Sequence, residues 1–450
     1  MDDARYQELV ATDRAHWVHP LHHPAAHQAP ILVERGEGIY LIGHDGKRYI
    51  DGLSALWNVA VGHGRTELAQ AAAEQMSRAA FTSNYVGYSN PPAIELAAKV
   101  VDLCYPNMQA AFFGNSGSES NETNFKAARY YWSVKGRPEK TKIISRAEAY
   151  HGNTLAAMSM TGMKIYYPNF GPRVGEAIPA ASVEPKLAGG GRIDPANVDI
   201  ERIEETIADE GADTIAAIIA EPVQGAGGIH VAADGYFPRL REICDENDIL
   251  LIDDEVITGF GRTGRWFALE HYGVLPDMVS TAKALTSAYI PMAAAVWSKD
   301  VHETITGTDP GTRFMHAYTN SGHTAAAAVA LRNLQIFEDE GLVENAAARG
   351  AQLRAGLETL AANHANVGNV RGLGFMQGFD LLQDADGNTP FPMEAGAGMK
   401  LLEEATQRGL IARIRLDSYL LAPPLITTEQ QVDDILTILD DSVRAVVAGL

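Results

Sequence analysis

The chain has 450 residues, too many for one ordinary hydrophobic core, so two domains, or a large α/β domain with a smaller one appended, are expected. Hydrophobic residues make up 46% and charged residues 21%, no apolar run is long enough to span a bilayer, and no basic-then-apolar signal opens the sequence, which points to a soluble, cytoplasmic protein. With 36 Lys and Arg against 57 Asp and Glu, the net charge of -21 argues against nucleic acid or an anionic membrane as partner, and the two distant cysteines, Cys104 and Cys244, argue against a disulfide framework or a zinc site.

Residues 1 to about 30 carry His16, His19, His22, His23 and His27 beside Trp17 and several prolines, with no sustained helical or strand period. Their spacing matches no helical zinc pair, and an arm lying on a neighbouring surface is the expectation. Ile39 to Ile42 and Tyr49-Ile50, separated by an Asp45-Gly46 turn signal, predict a hairpin. Trp57 follows in a loop between Gly52 and Gly64, where it serves either the core or a pocket. Leu68 to Met76 and Ala93 to Leu103 have helical spacing, and Ala110 to Phe113 reads as a strand that runs through Gly114 to Asn121 into another helix. Strand and helix then alternate: strands at Lys142 to Ser145, Ile215 to Ala220, Ile249 to Asp254 and Met278 to Ala282, helices around Ile203 to Ile207 and over Gly235 to Glu246. Such alternation implies a mostly parallel sheet covered on both faces. After Gly322 the pattern changes to a long helix over His323 to Glu338, strands within Gly374 to Leu382 and Leu410 to Leu421, and a last helix over Thr428 to Val447 opened by a Thr428/Gln431 capping box. The expected division is an arm and part of a small α+β domain in 1–65, a large domain in 66–322, and the rest of the small domain in 323–450.

Three motifs bear on chemistry. Gly114-Asn115-Ser116-Gly117-Ser118-Glu119-Ser120-Asn121 is either a phosphate cradle at a helix start or an ordinary capped helix with Ser118 as the cap, and the absence of a following Lys-Ser or Lys-Thr excludes a triphosphate P-loop. Gly259, Gly261 and Gly264 satisfy the Gly-x-Gly-x-x-Gly spacing of dinucleotide-binding folds, so an NAD-dependent dehydrogenase is an alternative; the glycines come late in the sheet and no acidic strand end follows about 20 residues on. Asp254 ends an apolar strand and Lys283 follows the next one. Pyridoxal phosphate needs an amine for an imine, a carboxylate for its pyridine nitrogen and donors for its phosphate, and these segments supply all three. Asp253 and Glu255 alternate to the other face of the strand and support or solvate it.

These residues also carry a family resemblance. Ser116-Gly117-Ser118-Glu119, Tyr150-His151-Gly152, Glu221-Pro222-Val223, Asp254-Glu255-Val256-Ile257-Thr258-Gly259-Phe260-Gly261-Arg262-Thr263-Gly264 and Lys283-Ala284-Leu285 resemble, in order, the signature of class III pyridoxal-phosphate aminotransferases. Gly52-Leu53-Ser54-Ala55-Leu56-Trp57 and Gly62-His63-Gly64-Arg65 are most similar to the branch acting on ω-amino acids or amines with pyruvate, including taurine:pyruvate and β-alanine:pyruvate enzymes. The resemblance implies fold type I, with a mostly parallel seven-stranded sheet and a smaller α+β domain. It implies a homodimer, or a tetramer, with active sites shared at the interface. The activity implied is ping-pong transfer of an amino group from an ω-amino acid or primary amine to a keto acid, with an aminomutase or decarboxylating transaminase as the alternative in the same family. Lys283 would be the Schiff-base lysine and Asp254 the partner of the pyridine nitrogen. Ser116, Gly117 and Ser118, with Thr319 of a neighbouring subunit, would serve the phosphate. Tyr150 and Val256 would flank the ring, with His151 and Glu221 close to it. Trp57, Tyr85 and Ala226 would line the substrate pocket, and Arg413 would bind the acceptor carboxylate, with Arg415 open to the same role or to a paired clamp.

Overall fold

Three strands buried at every position, Ile215–Ala220, Leu250–Asp254 and Met278–Thr281, form the middle of the molecule, as strands covered by helices on both faces must. The computed structural model describes residues 1–21, 23, 25, 28–174, 177–179, 200–386 and 388–450; His22 and His27 of the histidine-rich start lie outside them. The large sheet has seven strands in the order Met108–Gly114, Ala293–Ser298, Met278–Thr281, Leu250–Asp254, Ile215–Ala220, Lys142–Ser145 and Ala177–Pro179. Ile252 pairs in parallel with Ile219 on one side and Met278 on the other. Ala293–Ser298 alone runs antiparallel to both its neighbours. No pattern marks that strand in the sequence, because three successive alanines have neither alternation nor strand preference.

The sheet is mostly parallel, as expected, so the C-terminal ends of its strands open on one edge. The helix Gly117–Val134 lies across it, burying Phe125, Ala128 and Trp132, and the Trp132 indole donates to Ala216 O at 2.8 Å. Both chain ends build the smaller sheets. The predicted hairpin is present as Tyr40–Gly43 and Arg48–Asp51, flanked by Val33–Glu37 on one side and on the other by Leu410–Ile411, which pairs in parallel with Ile50 and Asp51. A second small sheet orders Val367–Leu373, Met376–Asp384, Ser418–Leu421 and Arg413–Arg415, with Thr389–Pro390 beside Met376–Asp384. The last helix, Glu429–Val447, has the predicted box: Thr428 N–H donates to Gln431 Oε1 at 2.9 Å and Gln431 N–H to Thr428 Oγ1 at 3.4 Å.

Two expectations are corrected. Asp3–His16 is a helix, capped by Asp2, which accepts from Arg5 N–H at 2.8 Å. Only Val10 of that helix is buried, so it has no apolar stripe for a periodicity to reveal. The helix at 117 is capped by Ser116 and not Ser118: Ser116 Oγ accepts from Glu119 N–H at 3.3 Å, while Glu119 Oε2 accepts from Asn115 N–H at 2.6 Å. Among the described residues no helix is long and apolar enough to cross a membrane.

Candidate active site

Asp254 closes the central strand and is 3% exposed. Asn121 Nδ2 donates to its Oδ2 at 2.8 Å, His151 Nδ1 lies 2.7 Å from the same oxygen, and Val256 N–H donates to Oδ1 at 3.1 Å. Asn121 also donates to His151 O at 2.7 Å, tying helix, loop and strand together. Three partners fix the carboxylate, yet none is a full opposing charge unless His151 is protonated, so its negative charge stays available to a cationic ligand. His151 Nε2 has no hydrogen-bond partner among the described residues although the residue is 2% exposed. Asn121 closes the Gly114–Asn121 motif, but the motif carried no sign of its bond to Asp254. The signal lay instead in a polar residue one turn into a helix, on the face that then buries Phe125 and Ala128.

Lys283 follows the neighbouring strand and is partly buried, with φ of 43°. It lines a cavity of about 250 Å³ together with Asn58, Asn115, Ser116, Gly117 and Thr286. Burial holds its amine down to about 8; Asp254 and Glu221 pull it up, and Arg413 and Arg262 push it down. At pH 7 roughly a tenth of such an amine is neutral, against far less than a hundredth for a solvated lysine. Glu221 is buried too, and burial, reinforced by Asp254 and opposed by His151, raises its carboxyl to about 7. It accepts from Tyr150 N–H at 2.9 Å and from Gly225 N–H at 3.2 Å, so it supports the loop carrying Tyr150 and His151. The Tyr150 ring lies 5.5 Å from that of Tyr166, and burial pushes its hydroxyl up to about 12.

The start of the Gly117–Val134 helix reaches this cavity because Gly117 has no side chain: a Cβ there would come within 2.7 Å of Val256 Cγ1. Ser118 Oγ accepts from Asn153 N–H at 3.2 Å, joining the helix start to the 150–153 loop. Arg413 and Arg415 point to the same side of their strand, but they differ in company. Arg415 donates to Glu148 Oε2 at 2.7 Å. Arg413 acts on Lys283 and Tyr150 and has no ion pair among the described residues.

The remaining expected residues divide. Ala226 is buried in the short turn Gly225–Gly228. Trp57 is 1% exposed in an apolar cluster with Leu53, Val223, Ile229, Ile257 and Met376, and its neighbour Asn58 is the residue that faces the cavity. Tyr85 and Thr319 are exposed and do not line it. Asp253 and Glu255 do not solvate the strand: both are 1% exposed and share the Tyr105 hydroxyl, at 2.8 and 2.6 Å. The glycine turn is structural. Gly261 and Gly264 have φ of 86° and 83°, and between them Arg262 runs into the core to donate to Pro423 O and, at 3.1 Å, to Ser54 Oγ. Only a single 3-10 turn, Ala268–His271, follows these glycines, with no α-helix start to receive a pyrophosphate, so the dehydrogenase alternative loses its motif.

Residues 22–443 match the family described as aminotransferase class-III. The chain is 36% identical over 456 residues to a putrescine–pyruvate aminotransferase of Pseudomonas aeruginosa, with 99% of each covered. Among solved structures it is similar to a thermostable (S)-enantioselective ω-transaminase from Thermomicrobium roseum, at 44% identity and a TM-score of 0.92 over 98% of this chain and 99% of that one. It is also similar to a PLP-bound amine transaminase from an uncultivated Pseudomonas species, at 35% identity and a TM-score of 0.88 over 96% of this chain and 98% of that one. An acid and a lysine brought together at the edge of a parallel sheet, a helix start beside them and this match along nearly the whole sequence identify the chain as a member of the class III, pyridoxal-phosphate-dependent aminotransferases, with fold type I.

Proposed function

We propose that this enzyme moves an amino group from an ω-amino acid or primary amine to a keto acid, pyruvate foremost, in a ping-pong sequence, with Lys283 as the proton carrier. The observation that carries the reading is a cavity shared by an amine lowered to about 8 and a glycine-opened helix start, with a buried carboxylate of fixed geometry near enough to act on that amine. The residues fit pyridoxal phosphate on their own chemistry. The first N–H groups of the Gly117–Val134 helix have no intrahelical partners and favour an anion, with Ser116, Gly117 and Ser118 at hand for the phosphate. Asp254, fixed by Asn121, His151 and Val256, suits a protonated ring nitrogen, and Tyr150 and Val256 would stand on either side of the ring. Bound there, pyridoxal phosphate supplies an electron sink for the donor carbon.

The protein's own part follows from placement. Lys283, free of its proton at modest cost, takes the proton from the donor carbon and returns one on the acceptor half of the cycle. Glu221 braces the Tyr150-His151 loop, and His151 braces Asp254. Arg413, a cation with no ion pair among the described residues that is felt at Lys283, favours a carboxylate and so a keto acid. The relatives named for pyruvate and for ω-transamination support that choice. The same reading makes the active unit a cytoplasmic homodimer in which Thr319 and Tyr85, exposed on one chain, complete the site of the other, and it keeps the division 1–65, 66–322 and 323–450.

The test is alanine formation from pyruvate with a panel of amine donors. Wild type should form alanine, and Lys283→Ala should lose at least about a thousandfold in turnover. Near-normal turnover in that variant would defeat the assignment, and product without alanine would indicate an aminomutase or decarboxylating reaction.

A further inference from the structure

The segment leading from the N-terminal sheet into the cavity is bent against the preferences of its residues. Ser54, Ala55 and Trp57 have φ of 49°, 56° and 64°, and Ala55 combines this with ψ of -88°, a region that glycine alone enters freely. Such a run persists only where its surroundings enforce it. Asp51, 0% exposed, does so. Its Oδ1 and Oδ2 lie 2.8 and 2.7 Å from the Ala55 amide nitrogen, Oδ1 lies 3.4 Å from that of Leu53, and His63 Nε2 lies 2.8 Å from Oδ2. Arg262, which feels the Asp51 charge, donates to Ser54 Oγ, and Ser54 Oγ donates to Ala422 O at 2.6 Å.

What the bend presents to the cavity is Asn58. Leu56 N–H donates to Asn58 Oδ1 at 3.1 Å, so the turn holds the side chain that lines the cavity. Three residues on, Val61 N–H donates to Ser287 Oγ at 3.3 Å, meeting a second bent stretch, Ser287 and Ala288 with φ of 48° and 62°, that follows Lys283. Asp51 itself does not line the cavity.

We propose that Asp51 is a positioning residue for donor selection: its buried carboxylate enforces the Ser54–Trp57 turn and thereby fixes Asn58 in the substrate cavity. This rests on the transaminase reading of that cavity. A carboxylate suits this place because both its oxygens lie within reach of the Ala55 amide, Oδ1 also meets the Leu53 amide, and Arg262 meets its charge. An asparagine keeps one acceptor and sets an amide N–H₂ against a donor.

The experiment compares wild-type holoenzyme with Asp51→Asn, Ala55→Gly and the double variant. Readouts are hydrogen exchange in the 53–61 peptide and kcat and KM for β-alanine, a diamine and an arylalkylamine with pyruvate. Asp51→Asn should speed exchange in that peptide about tenfold and shift donor KM values unequally, by about tenfold for the most affected donor, while the KM for pyruvate stays within about threefold. Ala55→Gly, at an exposed position where glycine accepts the bend, should leave the donor order intact. In the double variant it should restore part of the donor KM lost in Asp51→Asn. Unchanged exchange, an unchanged donor order, or an equal fall in kcat for all donors without rescue would overturn the proposal. If Asp51→Asn does not fold, His63→Gln carries the same test with an effect of about threefold, and no effect there would overturn it. Exchange is read without turnover, so a protein that forms no alanine defeats the functional reading while exchange still decides on Asp51.

Discussion

Burial does different things to the carboxyl groups at the end of the Leu250–Asp254 strand. Asp254 has its oxygens fixed by Asn121, His151 and the Val256 amide, and it faces the site. Asp253 and Glu255, on the other side, share one phenol, and burial raises both, Glu255 to about 7. A raised carboxyl keeps in the fold a proton that the unfolded chain releases near 4.5, so its stabilising effect is complete below that pH and is lost as pH rises through about 7. The melting temperature should therefore fall between pH 5 and 8, and Glu255→Gln should flatten the fall by the equivalent of about 1–3 kcal/mol, measured by calorimetry across that range. Arginine chemistry gives a second check. Arg413→Ala should raise the KM for pyruvate about 10- to 100-fold, whereas Arg415→Ala, which removes a side chain already paired with Glu148, should change it less than about threefold. Lys283 and Asp254 stood out in the sequence because Asp254 ends one apolar strand and Lys283 follows the next. Which arginine is paired with Glu148 was not legible there, because residues two apart on a strand look alike until their partners are known.

At the scale of elements, glycine has two uses that one sequence pattern cannot separate. Gly117 lets a helix start approach Val256, so Gly117→Ala should weaken pyridoxal phosphate binding by at least about tenfold, measured by titrating cofactor absorbance into the apoenzyme. Gly264 lets a turn pass Ala347: a Cβ there would meet Ala347 Cα at 2.9 Å, at a φ of 83°. Gly264→Ala should cost about 1–3 kcal/mol in stability, seen in urea unfolding, and leave the absorbance of the bound cofactor as it was. The spacing of Gly259, Gly261 and Gly264 suggested a nucleotide; the buried Arg262 between them shows what the turn is for. Long apolar strands and amphipathic helices were readable by period. Asp3–His16, stabilised by its cap, and Ala293–Ser298, buried by its neighbours, have no period to read.

For the whole molecule, exposure on the single chain is informative. Tyr85, Val86, Tyr88, Leu155, Ile165 and Met315 are all more than half exposed, and Thr319, four residues after Met315, is exposed too. If two copies complete each other's sites there, sedimentation should give twice the 48.4 kDa chain, and dilution should release cofactor and activity together. Thr319→Ala should hasten that release by about tenfold; a fully active monomer would refute the shared site. That both chain ends build the small sheets was foreseeable from the change of pattern after Gly322, but not the parallel pairing of Leu410–Ile411 with Ile50 and Asp51, since contacts so distant in sequence leave no local trace. This pairing has a consequence for synthesis. A ribosome delivers Asp51 early, but its strand has only its hairpin partner Tyr40–Gly43 until residues 410–411 emerge to pair on the other side, and Ser54 and Arg262 wait for Ala422 and Pro423. Until then nothing holds the bend at Ala55 from that side, so the growing chain carries Lys283, Asp254 and the Gly117–Val134 helix long before the turn that leads to Asn58 is closed.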